Sequence, residues 1–309
     1  GTYTITVKNL TDEDLGSEFS FTNKSYVYDK TEKEIKVSGL PSDLEVEYDN
    51  NKRTNEGEQL VKATITGENY TGEITKTATL EVTKAKVTYT IDNKTSVYKN
   101  SIVELTGSVT SGTVYEGDNL NVNLSTTATS TSNVGDYPIT GTYTNGNYDV
   151  TFVDGTYTIT VKNLTDEDLG SEFSFTNKSY VYDKTEKEIK VSGLPSDLEV
   201  EYDNNKRTNV GEQLVKATIT GANYTGSLTR TATLEVTKAS LTFKAEDKTS
   251  VYKDSIVGLT YTTTGTNYDG IVPVLSTTAT STSPVGTYPI TITASNDNYT
   301  ITLVNGTYT

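Results

Sequence analysis

Repetition constrains this chain more than any other feature. The segment GTYTITVKNLTDEDLGSEFSFTNKSYVYDKTEKEIKVSGLPSDLEVEYDNNKRTN begins at Gly1 and recurs letter for letter from Gly155. The copies then run on together to Ala85 and Ala239, differing only at Glu56/Val210, Glu68/Ala222, Glu73/Ser227, Ile74/Leu228 and Lys76/Arg230. An internal period outranks chain length as a guide to domain count, because each repeat must bury its own apolar face. Each period holds two unlike halves, so the 309 residues read as four small modules in A-B-A-B order. The expected bounds are 8–84 (A1), 85–161 (B1), 162–238 (A2) and 239–309 (B2). Residues 1–7 are read as the closing strand of a B module that precedes A1.

That cut follows from local pattern. In TYTITV, Tyr3, Ile5 and Val7 alternate with threonines, the signature of a half-buried strand, and the same run returns at Thr156–Val161. Asp154-Gly155 and Asn305-Gly306 lie between alternating runs and predict type I′ hairpins. The first copy of TYTITV lacks such a partner, so it is expected to pair with module A or a neighbouring molecule, or to be poorly ordered. Within module A, strands are predicted around Phe19/Phe21, Tyr26/Tyr28, Ile35/Val37, Leu44–Tyr48, Val61–Ile65 and Ile74–Val82. No segment shows a capped apolar period of 3.6, and Thr, Val, Ile and Tyr dominate, as pleated half-buried surfaces favour. The fold class is all-β.

Composition removes whole classes of function. Cys, His, Met and Trp are all absent. Without Cys there is no disulfide framework, and without His and Cys the usual zinc, copper and haem ligands and the commonest neutral-pH general base are gone. A net charge of −15 disfavours binding to nucleic acid or to an anionic membrane through a basic patch. No apolar run is long enough for a membrane span, and no leader pattern is present in these residues.

Within module B, Asn133-Val134-Gly135-Asp136-Tyr137 and Pro284-Val285-Gly286-Thr287-Tyr288 read as the turn-then-tyrosine entry to a late strand, where a tyrosine corner bonds back across the loop. Module A carries Gln59 and Gln213 at the matching place, so the corner is expected only in B. The four modules are therefore read as a linear array of immunoglobulin-like or related β-sandwiches. The junctions Thr83-Lys84-Ala85 and Thr237-Lys238-Ala239 are too short to act as tethers, so hinge freedom between neighbours is restricted. Four modules in line would span on the order of 150 Å and unfold one by one.

Module B, with KTSVYK, STTATSTSPVGTYPI and NYTITLVNGTYT, resembles the MBG domain of YGX type; module A, with SYVYDK, GLP and TNVGEQLVKATITGANYTG, resembles the related YDG-type domain. The resemblance covers nearly the whole chain and implies tandem repeats of a bacterial surface adhesin in an extracellular, cell-surface or cell-wall setting. The naming glycine is replaced by Lys30 and Lys184 in A and by Lys99 and Lys253 in B. If that position is left-handed, lysine bears a steric cost there; otherwise the turn differs.

Four candidate chemistries compete with plainer readings, one of them a Lys–Asn isopeptide bond promoted by a buried carboxylate, which would staple a Cys-free chain but for which the sequence singles out no residues. Asp12-Glu13-Asp14 and Asp166-Glu167-Asp168 sit in the connectors Lys8–Gly16 and Lys162–Gly170. Calcium is one reading, but it needs six to eight converging oxygens, and a solvated acidic linker or short helical turn is preferred. Tyr26/Tyr28 and Tyr180/Tyr182 suit a sugar platform, yet a spacing of two puts each pair on one face, as core packing also requires. Paired carboxylates for acid–base catalysis show no distinctive spacing. The sequence thus predicts no catalytic, cofactor or metal site and no enzyme. It predicts a monomeric stalk or spacer whose partners are neighbouring modules, with direct binding of a host glycan or matrix protein as the alternative.

Overall fold

The computed structural model describes all 309 residues and divides into two compact units, Gly1–Thr160 and Val161–Thr309. In the first unit the A-type sequence contributes β1 (Lys8–Asn9), β2 (Lys24–Val27), β3 (Glu45–Asp49), β4 (Gly57–Thr66), β5 (Tyr70–Thr71) and β6 (Ile74–Thr83). The B-type sequence contributes β7 (Ala85–Ile91), β8 (Lys94–Val97), β9 (Gly107–Ser111), β10 (Asn123–Thr126), β11 (Gly135–Thr142), β12 (Tyr148–Val153) and β13 (Gly155–Thr160). Apart from a single 3₁₀ turn at Asp12–Leu15, the unit is all-β, and the second unit repeats the pattern except at the place of β8, where only the isolated bridge Lys248↔Tyr308 forms.

The A-type sheet has strand order β2-β6-β4-β3. Its spine is the antiparallel β4/β6 ladder, in register from Gly57↔Val82 to Ile65↔Ile74. Strict alternation sends Val61, Ala63 and Ile65 of β4 and Ala78, Leu80 and Val82 of β6 to one buried face. Chain ends close the sheet: β2 runs parallel to β6, with Lys24 opposite Leu80 and Val27 opposite Thr83. The B-type sequence forms two facing sheets, β10-β11-β13-β8 and β12-β7-β9. Their interior holds Val87, Ile91, Ile139, Tyr148, Tyr157 and Ile159, each under 4% exposed.

Several sequence expectations are corrected here. Asp154-Gly155 is no hairpin: β12 pairs with β7, whereas β13 pairs with β11 and β8, so the chain crosses from one sheet to the other at this dipeptide. Neither residue has a positive φ, as a type I′ turn would demand. Glycine is needed at 155 for a different reason, since a Cβ would lie 2.8 Å from the Asp92 carbonyl oxygen. Asn305-Gly306 makes the same crossing between Tyr299–Val304 and Gly306–Tyr308. The strands expected at Phe19/Phe21 and Ile35/Val37 shrink to isolated bridges, Ser20↔Ser38 and Lys33↔Arg53, because these segments cover the sheet as irregular loops. Residues 1–7 form no strand, and Tyr3 and Ile5 are 92% and 86% exposed. Pairing with the A-type sequence starts only at β1, which runs parallel to β5.

Candidate functional site

In each unit the feature that gathers the most side-chain chemistry is the seam where A-type and B-type sequences meet. β2 ends at Val27, and Tyr28 follows with its N–H donating to the Thr83 carbonyl at 2.8 Å. Its ring leaves the A-type sheet and enters the B-type core, packing with Val82, Ala85, Val87, Leu120, Tyr148 and Val150. Tyr28 is 3% exposed and meets Tyr148 edge-on, with ring centroids 5.5 Å apart. Tyr26 stays behind, packed against Ile35, Val61, Ala78 and Leu80. The tyrosine pair that the sequence placed on one face is therefore split between two cores.

A buried phenol needs a partner, and Asp118 supplies it. The Tyr28 hydroxyl donates to Asp118 Oδ2 at 2.8 Å and the Tyr148 hydroxyl to the same oxygen at 2.7 Å. Lys30 reaches from the A-type side, its ammonium 3.2 Å from Asp118 Oδ1 and bonded also to the Glu116 carbonyl. These donors, the Tyr148 and Tyr28 hydroxyls first, hold the Asp118 carboxyl below the usual range. Burial pushes the Tyr148 phenol up to about 12 and raises that of Tyr28 as well.

On the far side of the seam Asn147 bridges both halves. Its Oδ1 accepts from the Glu56 N–H at 2.9 Å, its Nδ2 donates to Asn55 Oδ1 at 3.1 Å, and its carbonyl accepts from the Ala85 N–H at 3.0 Å.

The second unit rebuilds this seam from altered sequence. Tyr182 takes the place of Tyr28, 3% exposed and 5.5 Å edge-on to Tyr299, and its hydroxyl donates to Asp269 Oδ1 at 2.7 Å. Burial, then Asp269, pushes the Tyr182 phenol up to about 12. Lys184 lies 3.8 Å from Asp269 and bonds the Tyr268 carbonyl at 3.3 Å. Asn298 accepts from the Val210 N–H at 3.0 Å. Because that bond uses the backbone, the Glu56/Val210 difference leaves it intact. The acid, however, comes from a different place in its loop. Tyr148 accepts from the N–H of Tyr115, three residues before Asp118, whereas Tyr299 accepts from Tyr268, immediately before Asp269.

The four lysines at the naming-glycine position are all left-handed: Lys30 (φ 68), Lys99 (φ 66), Lys184 (φ 65) and Lys253 (φ 75). The steric cost anticipated from the sequence is thus present four times. In the A-type copies it coincides with the contact to the acid across the seam. In the B-type copies the ammonium stands 5.6 Å from the ring centroid of the preceding Tyr98 or Tyr252.

The acidic connectors are occupied differently from a converging cation site. Asp14 caps the 3₁₀ turn by accepting from the Thr11 N–H at 3.0 Å and its hydroxyl at 2.8 Å, and it pairs with Lys8. Asp12 faces away, 3.0 Å from Lys76, a pair conserved in kind as Asp166–Arg230 at 2.6 Å. No three potential ligands converge. The tyrosine corners form in both B-type copies: Tyr137 donates to the Asn133 carbonyl and Tyr288 to the Pro284 carbonyl, each at 2.8 Å. Gln59, at the matching A-type place, donates to the Asn50 carbonyl at 2.6 Å instead. The cavity between Thr249–Tyr252 and Ser283–Tyr288 measures about 150 Å³; more open depressions are larger, among them one of about 360 Å³ beside the seam at Val114, Asp118 and Leu120.

Residues 87–158 and 241–309 match the family described as MBG domain (YGX type), and residues 18–86 and 172–240 match the family described as MBG domain. The chain belongs to the MBG domain family, as two tandem copies of each type. No curated protein matches it. Similar solved structures include Sidekick-1 immunoglobulin domains 1-5, at 10% identity and a TM-score of 0.20, covering 94% of this chain and 77% of that one. Drosophila OTK extracellular domains 3-5 align at 12% identity and a TM-score of 0.22, covering 75% of this chain and 100% of that one. BT4661, a SusE-like surface-located polysaccharide-binding protein from Bacteroides thetaiotaomicron, aligns at 12% identity and a TM-score of 0.21, covering 86% and 55%.

Proposed function

We propose that this chain is a structural repeat region of a bacterial surface adhesin, a semi-rigid spacer that holds a distal binding domain away from the cell. The observation that carries the reading is the seam. Two tyrosines, a carboxylate, a lysine and an asparagine are devoted to fixing one module against the next, and the arrangement recurs in both units. Membership of the MBG family supports a surface repeat. We propose the module bounds 8–84, 85–161, 162–238 and 239–309, with residues 1–7 closing a preceding B-type module.

The alternative is direct adhesion, in which a B-type module recognises a host glycan or matrix protein. The B copies are its better candidates because they have diverged while the A copies stayed nearly identical. A glycan-array and host-matrix screen of the chain decides between the two. The spacer reading expects no saturable binding at moderate salt; reproducible saturable binding replaces it with the adhesive reading. Small-angle scattering provides the second check, with an extended particle expected and a compact one counting against a spacer.

A further inference from the structure

We propose that the modules are built to bear tension along the chain, through shear clamps formed where the early and late strands of each module lie parallel. The inference deepens the spacer reading and rests on it for its biological setting.

The geometry is set by strand direction. In the first A-type sheet the early strand β2 runs parallel to the final strand β6, and in the second Lys178–Val181 runs parallel to Leu228–Thr237. The first B-type sequence has two such pairs, β7 with β12 and β8 with β13. The second pairs Ala239–Ala245 with Tyr299–Val304. Pulling on the chain drags an early strand toward its N-terminal end and a late strand toward its C-terminal end. For parallel neighbours these pulls point in opposite directions along the same ladder. The evenly spaced hydrogen bonds of a parallel pair are then loaded together instead of opening one at a time. Forced unfolding follows the unfolding barrier, so a structure that must break many bonds in one step resists longest.

The clamps carry reinforcement at both ends, and this is an independent observation. At the early end of the β2/β6 ladder, of its second A-type copy and of the β8/β13 ladder an asparagine accepts from the backbone of the late strand: Asn23 from the Thr79 N–H at 2.7 Å, Asn177 from Thr233 at 2.8 Å and Asn93 from Thr156 at 2.8 Å. In the second B-type sequence, where only the parallel bridge Lys248↔Tyr308 stands at the place of β8/β13, Asp247 accepts from the Thr307 N–H at 2.7 Å. At the other end the next backbone N–H extends the ladder: Tyr28 to the Thr83 carbonyl at 2.8 Å, Tyr98 to Thr160 at 2.9 Å and Tyr182 to Thr237 at 2.9 Å. Threonine hydroxyls lace the strands further. Thr83 donates to the Tyr26 carbonyl at 3.2 Å, Thr237 to Tyr180 at 3.2 Å and Thr160 to Ser96 at 3.3 Å. Tyr28 and Tyr182 do two things at once, since each closes a clamp with its N–H and enters the next module's core with its ring.

Single-molecule force spectroscopy on the full chain tests this by direction of pull. The chain has no cysteine, so introduced thiols are unique handles. Handles at the two chain ends load the clamps in shear. Handles on Thr22→Cys and Thr77→Cys, both exposed and both beside the early end of the β2/β6 ladder, peel that ladder open. The expected result is a first rupture at several-fold lower force in the peeling geometry, with an unchanged thermal midpoint for the double variant. Asn23→Ala is expected to lower the rupture force of the first A-type sheet in the end-to-end geometry. Equal rupture forces in the two directions would overturn the clamp while leaving the spacer reading standing. Saturable ligand binding would remove the spacer reading without touching the anisotropy.

Discussion

Lys30 sits in the left-handed region with φ 68, and its ammonium lies 3.2 Å from the Asp118 carboxylate across the seam. A strained backbone and a contact between modules share one residue. The strain has an energetic scale of about 1–2 kcal/mol for a non-glycine residue, and the half-exposed ion pair offsets only part of it, about 0.2–1 kcal/mol.

Replacing these lysines by glycine should separate the two effects. Lys253→Gly relieves the same backbone strain (φ 75) without touching either seam acid, so it should stabilise its module by up to about 1 kcal/mol. Lys30→Gly gains the same relief but gives up Asp118 and the Glu116 carbonyl, so its net effect should be near zero or destabilising. Urea titration measures both, and a larger gain for Lys30→Gly would show that the ion pair contributes nothing.

The seam tyrosines should make each unit cooperative, in place of the module-by-module unfolding that the sequence suggested. Tyr28→Phe keeps the ring and removes a bond to a carboxylate, costing about 1.5–3 kcal/mol. Tyr28→Ala empties the site and should cost about 3–5 kcal/mol. In the alanine variant the single transition of the unit should split in two, with a lower m-value for each. A wild-type unit that already melts in two steps would refute the coupling.

Acid and base should weaken the structure in different windows. Asp29 and Asp183 are held down to about 2 by Lys33 and Lys187 and by Thr31 and Thr185. Depressed folded-state values mean that their contribution is complete above the unfolded value near 4 and is lost as pH falls toward about 2. Tyr148 and Tyr182, raised to about 12, behave in the opposite sense. Their contribution is complete below the unfolded value near 10 and is lost as pH rises from about 10 to about 12. Melting temperature against pH should show a plateau between these limits, and Tyr182→Phe should flatten the alkaline limb of the second unit.

Gly57 and Gly211 should not tolerate a side chain. Each has a positive φ, 125 and 133, and the Arg53 or Arg207 guanidinium occupies the space where a Cβ would go, 2.0 or 1.9 Å away. Gly57→Ala must strain the backbone and expel Arg53 from Gln59 and the Glu56 carbonyl, a loss of about 1–3 kcal/mol. Thermal melting of the single variant against the parent chain checks it.

What the sequence made legible follows its periodicities. Alternation in Val61–Ile65 and Ile74–Val82 identified the buried face of the A-type sheet, and the turn before Tyr137 and Tyr288 identified the corner hydroxyls. Asp154-Gly155 misled because dipeptide statistics describe a local turn. Here the choice of strand partner is decided by the sheet that buries Tyr157 and Ile159. Tyr26 and Tyr28 both pack into cores, as the spacing of two required, but the sequence does not show that the cores differ: Tyr28 lies just beyond β2, its N–H still bonded to the Thr83 carbonyl, and its ring joins the neighbouring B-type cluster. The seam acid was illegible for a third reason: Asp118 and Asp269 stand at different offsets from Tyr115 and Tyr268, so no spacing marks them.

That shifted acid bears on how such a gene can lengthen. A duplication that copied only an A-type segment would leave Tyr28 uncovered, while a copied B-type segment alone would leave Asp118 without its phenol and lysine. The heritable step that preserves every contact is the pair, and the repeat that begins at Gly1 and again at Gly155 has that length. Drift within the copied pair is then filtered by contact and not by letter, which is how one B-type loop could be rewritten around its carboxylate while the tyrosine it serves never moved.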